Sequence, residues 1–465
     1  MKIILLLIFT SFSINCFAQH QHEHAPAKKD TIPPKNDMGG MNMQQDTVPH
    51  KNMDQMQGME MGGMDMMIHA YSKNLPMSRN GSGTSWMPDA SPMYMYMKMK
   101  DRSMFMLHGN IFLRYTKQDL FNKGSRGDDH FDAPNWFMAM YNKFIGKKGL
   151  LNAAAMLSFD PFLVGKGGYP LLFQSGESYN GKKLVDRQHP HDLFSGLSLG
   201  YTQMINRDAD VFLYFGYPGE PALGPPAFMH RISTMNNPDA PLTHHWQDAT
   251  HITFGVGTLG LRYKDFKLEG SLFTGREPNE NRYDFDKMRF DSYSYRLSYN
   301  PSKNWALQFS QGFIHSPEEL EPEVNITRTT ASAIYSKWLK KRYDYFTHSL
   351  IWGLNHYNNG ANEHSFLYEA NWQLSKHAVY GRYEFVQKSA DELAIGTFPE
   401  ETEFNINAFT LGYNYTFFNF SYLDLAAGIQ AAINFSPKEL QSLYGKTPLA
   451  GEIYLQLKPH IHRHE

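Results

Sequence analysis

From Met104 onward, apolar and polar positions alternate in short segments, the period-2 pattern of strands whose two faces meet different surroundings. About sixteen segments carry it: 104–115, 136–144, 150–159, 193–204, 211–217, 251–263, 266–274, 289–299, 305–313, 327–338, 345–356, 365–374, 377–386, 404–417, 422–435 and 452–458. The connections alternate as well. Gly146-Lys147-Lys148-Gly149, Asn206-Arg207-Asp208, Lys264-Asp265 and Asn300-Pro301-Ser302-Lys303 are tight turns, whereas long polar stretches precede Trp136, Leu193 and His251. Every tight turn then falls on one side. An even set of strands near the ~9–11 residues that cross a bilayer, with short turns on one side and long loops on the other, predicts an all-β, antiparallel transmembrane barrel of about 16 strands. A soluble sandwich or propeller does not require that asymmetry.

Before the first strand the pattern disappears. Met1-Lys2, the apolar run from Ile3 to Phe9 and the small residues around Ala18 read as a signal peptide over 1–18. His20, His22 and His24 follow, then Met38, Met41, Met43, Met53, Met56, Met59, Met61, Met64, Met66 and Met67 among Gly, Asp, Asn and Gln. Val48 and Ile68 are almost the only branched aliphatics there, too little apolar surface to offset chain entropy. The expectation is a disordered arm over 19–100, a barrel over 101–459 and a His-rich tail over 460–465. A second methionine run, Met93, Met95, Met97, Met99, Met104 and Met106, alternates and reads as entry into the first strand.

Composition sharpens this picture. Aromatic residues make up 14% of the chain and hydrophobic residues 42%, as expected of strands that face lipid on one side and carry aromatic girdles. Trp352, Trp372, Tyr380 and Tyr383 are read as girdle residues. A net charge of −2 removes the electrostatic case for nucleic acid. The single cysteine, Cys16, lies in the expected leader, so a metal site in the mature chain has His, Met and carboxylate to draw on.

Thioethers suit Cu(I) and Ag(I), and imidazole suits Cu(II). The three histidines and ten methionines of the arm are therefore candidate copper or silver ligands. Two long loops add a second set. One ends Asp186-Arg187-Gln188-His189-Pro190-His191-Asp192, and the other carries Gly219-Glu220-Pro221-Ala222-Leu223-Gly224-Pro225 and His244-His245-Trp246-Gln247-Asp248-Ala249-Thr250-His251. His189, His191, His244, His245 and His251 are candidate ligands, with Asp192 or Asp248 as ligand or as acceptor for a ring N–H. The same residues could instead hydrogen-bond one another and pin the loops. A hydrolase would use His as base, Asp as its orienter and Ser195 or Ser233 as nucleophile, but no Gly-x-Ser-x-Gly elbow is nearby.

These loop motifs, with Gly83-Thr84-Ser85-Trp86-Met87-Pro88-Asp89 and Met106-Leu107-His108-Gly109, resemble a family of uncharacterised bacterial outer-membrane β-barrel proteins, which carries no activity over to this chain. The layout, a Met/His-rich arm before a barrel, is similar to copper resistance protein B, which implies copper handling at the outer membrane. The expected function is copper or silver binding, resistance or efflux, without enzymatic activity. The expected partners are outer-membrane lipid, metal ions and periplasmic copper-handling proteins. The rival expectations are a general porin-like channel with an incidental arm, and an outer-membrane hydrolase with its site under the loops.

Overall fold

The computed structural model of the chain describes residues 68–341 and 343–462. The expected leader, the arm's His and Met ligands and the end of the tail lie outside these residues. Sixteen antiparallel strands close into one barrel. They are β1 (Ser103–Lys117), β2 (Asn135–Ile145), β3 (Gly149–Leu157), β4 (Phe194–Met204), β5 (Ala209–Gly216), β6 (Val256–Tyr263), β7 (Phe266–Phe273) and β8 (Ser292–Ser302). The second half adds β9 (Trp305–His315), β10 (Asn325–Trp338), β11 (Tyr345–Tyr357), β12 (Asn362–Leu374), β13 (His377–Ser389), β14 (Glu403–Asn419), β15 (Leu423–Phe435) and β16 (Leu449–Pro459). Each strand pairs with its chain neighbours, and β16 closes on β1 through partners such as Leu455 and Leu113.

The alternation that predicts the strands is the reverse of a soluble protein's. Along β7, Phe266, Leu268 and Leu272 point outward while Lys267, Glu269 and Ser271 are buried. Leu213, Leu259, Leu350 and Ile453 are likewise exposed on the outer wall. Such a surface costs least in lipid, so this is a membrane-spanning barrel of the outer-membrane type. No helix of the described residues is long and apolar enough to cross a membrane. The turns at 146–148, 205–208, 264–265, 303–304, 339–341 with 343–344, 375–376 and 420–422 lie at one end of the barrel, and the long loops lie at the other.

The lumen is filled. The arm expected to stay disordered to residue 100 is folded from Ile68 onward, and residues 68–92 sit inside the short-turn mouth. Ser72 Oγ donates to Asp210 at 2.5 Å, Lys73 to the Lys147 carbonyl at 2.9 Å, and Arg79 to Asp265 at 3.0 Å. The backbone N–H of Ala90 donates to the Lys303 carbonyl at 2.7 Å. Tyr71, Met77 and Met87 of this stretch pack into buried hydrophobic clusters, and the lumen wall supplies hydrogen-bond partners for its polar groups. After it, Tyr96–Lys100 pairs with the start of β1, and Met93–Tyr94 pairs with Ile461–His462 from the tail.

The 217–255 insertion fills the lumen from the other side, and from Pro218 to Thr250 every residue except His230 is buried. Ala222 and Gly224 donate backbone N–H groups to Ser271 and Ser310, both at 2.8 Å. Arg231, fully buried, bonds Asp248 at 2.5 Å and Glu369 at 2.9 Å. The strand expected from His251 therefore starts only at Val256, because Ala249–His251 is a 3-10 turn of this insertion. Tyr380 also departs from expectation: it is buried in the lumen, donating its hydroxyl to Gln430 at 3.0 Å, whereas Trp372 and Tyr383 are exposed on the outer wall.

Candidate metal centre

Two insertions at the long-loop end bring five histidines together, and two further loops add Glu277 and Glu318 beside them. The first insertion turns through the short helix Asp160–Leu163 and the hairpin Tyr169–Tyr179/Lys182–Gln188, and delivers His189 and His191 at the hairpin's end. The lumen insertion delivers His244 and His245 from the one-turn helix His244–Gln247, and His251 from the next turn. The rings of His244 and His245 lie 5.2 Å apart, and those of His244 and His251 5.1 Å apart. His189 is 5.4 Å from His245, and His191 is 5.5 Å from His251.

One ring nitrogen is hydrogen-bonded in four of the five histidines, His189 through the Pro190 carbonyl at 3.4 Å. His191 Nδ1 lies 2.8 Å from Asp160 Oδ2, His244 Nδ1 2.6 Å from Asp248 Oδ1, and His189 Nδ1 3.1 Å from Glu177 Oε1. His251 Nδ1 lies 2.9 Å from the Asp248 carbonyl, and His245 Nδ1 faces Glu277 at 3.5 Å. For His191, His244 and His251 the partner is a carboxylate or a carbonyl, which only accepts, so the proton sits on Nδ1 and the lone pair on Nε2. All five Nε2 atoms are buried without a hydrogen-bond partner. Each unmade hydrogen bond costs about 1–3 kcal/mol, and here five fall in one place.

The ligand atoms of His189, His244 and His245 lie within 4.8 Å of one another. A tetrahedral ion with nitrogens at ~2.0 Å needs them about 3.3 Å apart, so side-chain movements of about 1 Å would complete a site. His245 also converges with Glu277 and Glu318 within the same limit. It opens there on a cavity of about 500 Å³ whose wall includes Glu177, Glu277, Glu318, Glu363 and Glu392.

Burial disfavours the charged form of three of these imidazoles. It pushes His189 and His251 well below the usual histidine value, aided for His189 by His245 and Arg282 and for His251 by His244. His244 is also lowered by burial, against the pull of Asp248. Burial alone would raise Asp248, but Arg231 and His244 outweigh it and hold the carboxylate below its ordinary range. Neutral rings with oriented lone pairs are the form that binds transition metals.

The two aspartates named from sequence divide. Asp248 orients His244, as one of its two expected roles required. Asp192 faces Arg282 at 3.4 Å instead, and its backbone carbonyl accepts from Ser195 at 2.7 Å. Ser233 bonds Ser349 at 2.8 Å and Glu369 at 3.1 Å, so neither serine of the hydrolase reading is hydrogen-bonded to a histidine. Asp160, Glu177, Glu277 and Glu318 were not legible in advance. They come from positions with no fixed spacing to the histidines, and the abundance of acidic residues in the loops gives no signal for which ones turn inward.

No family model matches the chain, and no curated protein matches it. Solved porins are among the structures to which the chain is similar. The anion-selective porin from Comamonas acidovorans aligns over 77% of this chain and 100% of its own, with 11% identity and a TM-score of 0.45. Salmonella typhi OmpF aligns over 78% and 100%, with 9% identity and a TM-score of 0.47. Pseudomonas aeruginosa OpdQ aligns over 77% and 98%, with 8% identity and a TM-score of 0.38.

Proposed function

We propose that this protein handles transition-metal ions, copper foremost, at the outer membrane, with the five-histidine cluster as a binding site inside the barrel. The arm, with its runs of Met and His, captures Cu(I) or Ag(I) in the periplasm, and the lumen centre takes Cu(II) through imidazole. The observation that carries the reading is the gathering of five buried, unpartnered Nε2 atoms on rings of which four are held by a hydrogen bond at Nδ1. A loop-pinning role uses the Nδ1 bonds but leaves the other side of every ring unexplained.

The test is a Cu(II) titration of the full-length protein in detergent beside H244A/H245A. Loss of at least one bound equivalent in the variant is expected. Equal stoichiometry and affinity in both would remove the lumen centre from the function.

A porin-like channel remains the second reading, favoured by the sixteen-strand barrel itself. In that reading, residues 68–92 and the 217–255 insertion form the constriction, and solutes pass where these segments part. Conductance in lipid bilayers separates the two, since a metal centre does not need an open lumen.

A further inference from the structure

Between the short-turn mouth and the histidine cluster lies a cavity of about 140 Å³. Ten of its 35 wall residues are methionines, among them Met77, Met95, Met106, Met138, Met140 and Met229. The chain's 26 methionines in 465 residues would place about two in a wall of that size by chance.

The strand register arranges several of them in rungs, the first completed by Met97 from beside the wall. Met97, Met106 and Met140 oppose one another across three neighbouring strands. Two residues further along, His108, Met138 and Met156 form the next rung. Directly opposed side chains start ~5 Å apart, within reach of one ion shared between two sulfurs. Elsewhere the lumen wall is built of ion pairs such as Arg296–Glu269 and Arg382–Glu369, so thioethers here are a local change of chemistry. Methionine as packing filler explains apolarity, but leucine fills such space with better-defined rotamers. Two further observations point to a ligand. His108 Nε2 is buried with no partner, and its ring lies 5.8 Å from His230, also in the wall. At its far end the cavity touches His251, a member of the histidine cluster.

We propose that this methionine-lined cavity binds soft monovalent cations, Cu(I) or Ag(I), and links the short-turn mouth to the histidine centre. The proposal deepens the metal-handling reading and rests on it for the role of His251. Sulfur donors select the monovalent ion, and the imidazoles beyond them accept either oxidation state. The lumen then presents a graded series of donors, thioether at one end and imidazole with carboxylate at the other.

The experiment titrates Ag(I), which needs no reductant, into full-length wild type and M106L/M138L/M140L in detergent. The arm contributes equally to both, and leucine preserves side-chain volume. Heat-modifiable gel mobility verifies the barrel, and M106L alone serves if the triple variant does not fold. The triple variant is expected to bind at least one Ag(I) fewer while its Cu(II) stoichiometry stays unchanged. Equal Ag(I) stoichiometry overturns the proposal, even where H244A/H245A has lost Cu(II). Should H244A/H245A keep its Cu(II) while the methionine variant loses Ag(I), the histidine reading falls and the methionine site stands.

Discussion

His244 Nδ1 lies 2.6 Å from Asp248 Oδ1, and the other oxygen of that carboxylate accepts from Arg231 at 2.5 Å. One buried aspartate thus fixes the tautomer of a candidate ligand and anchors the segment that carries it. Such outer carboxylates are worth about 10–100-fold in metal affinity. Asp248→Asn keeps the shape but offers a single acceptor oxygen to two donors. Cu(II) affinity, measured against a competing chelator, is expected to fall within that range. Wild-type affinity in the variant would mean that His244 is not oriented toward an ion.

Gly176 bears on the same centre from the hairpin. A Cβ there would lie 2.3 Å from the nearest atom of the His245 ring, and its φ of +111° suits glycine alone. Gly176→Ala is expected to push His245 away and weaken Cu(II) binding, with the barrel intact on heat-modifiable gels. Retained affinity would show that His245 is dispensable.

Acid should loosen the segment that closes the short-turn mouth. His69 Nδ1 accepts the Tyr71 backbone N–H at 3.0 Å. Burial, with Lys267, Arg79 and Arg262 nearby, holds the ring well below its ordinary value. The docked segment therefore stays neutral where the released segment takes up a proton. Docking is constant above about pH 6.5 and weakens as pH falls from there toward the docked value, by up to about 1.4 kcal/mol per unit. Hydrogen exchange of residues 69–92, corrected for intrinsic rate, should show faster opening at pH 5.5 than at pH 7.5. H69N should flatten the difference. A pH-independent opening in wild type would count against this linkage.

The barrel was legible because lipid outside and polar contacts inside impose a strict two-residue period, as in β7, and because tight turns such as Lys264-Asp265 recur at one end. The five histidines were legible as motifs, His189-Pro190-His191 and His244-His245, but of their side-chain partners only Asp248 was. Asp160 and Glu177 reach the cluster from the first insertion and Glu277 from the loop after β7, and only the folded chain brings them together. Residues 68–92 were read as too polar to fold, since a sequence does not reveal that its partner surface will be the inside of a polar barrel. Met104 and Met106 were correctly read as strand entry, but Met140, which opposes Met106, lies some thirty residues on and joins its rung only through register.

Arg231 offers a test of what the filled lumen does. Its guanidinium is fully buried and bonds Asp248, Glu369 and the Pro226 carbonyl, while Arg382 also reaches Glu369 at 3.1 Å. Arg231→Leu leaves the Asp248 carboxylate without its cation, and breaking a buried pair by removing one partner costs about 3–5 kcal/mol. Arg382 retains Glu369, so the strain falls on the insertion and not on the wall. Reconstituted in planar bilayers, wild type is expected to conduct weakly and the variant more strongly, as residues 217–255 part from the wall. Large conductance in wild type would instead mean that the segments move aside readily, and would favour the porin-like reading. Low conductance in both would show that the insertion is held by its many other bonds and that Arg231 is not its principal anchor.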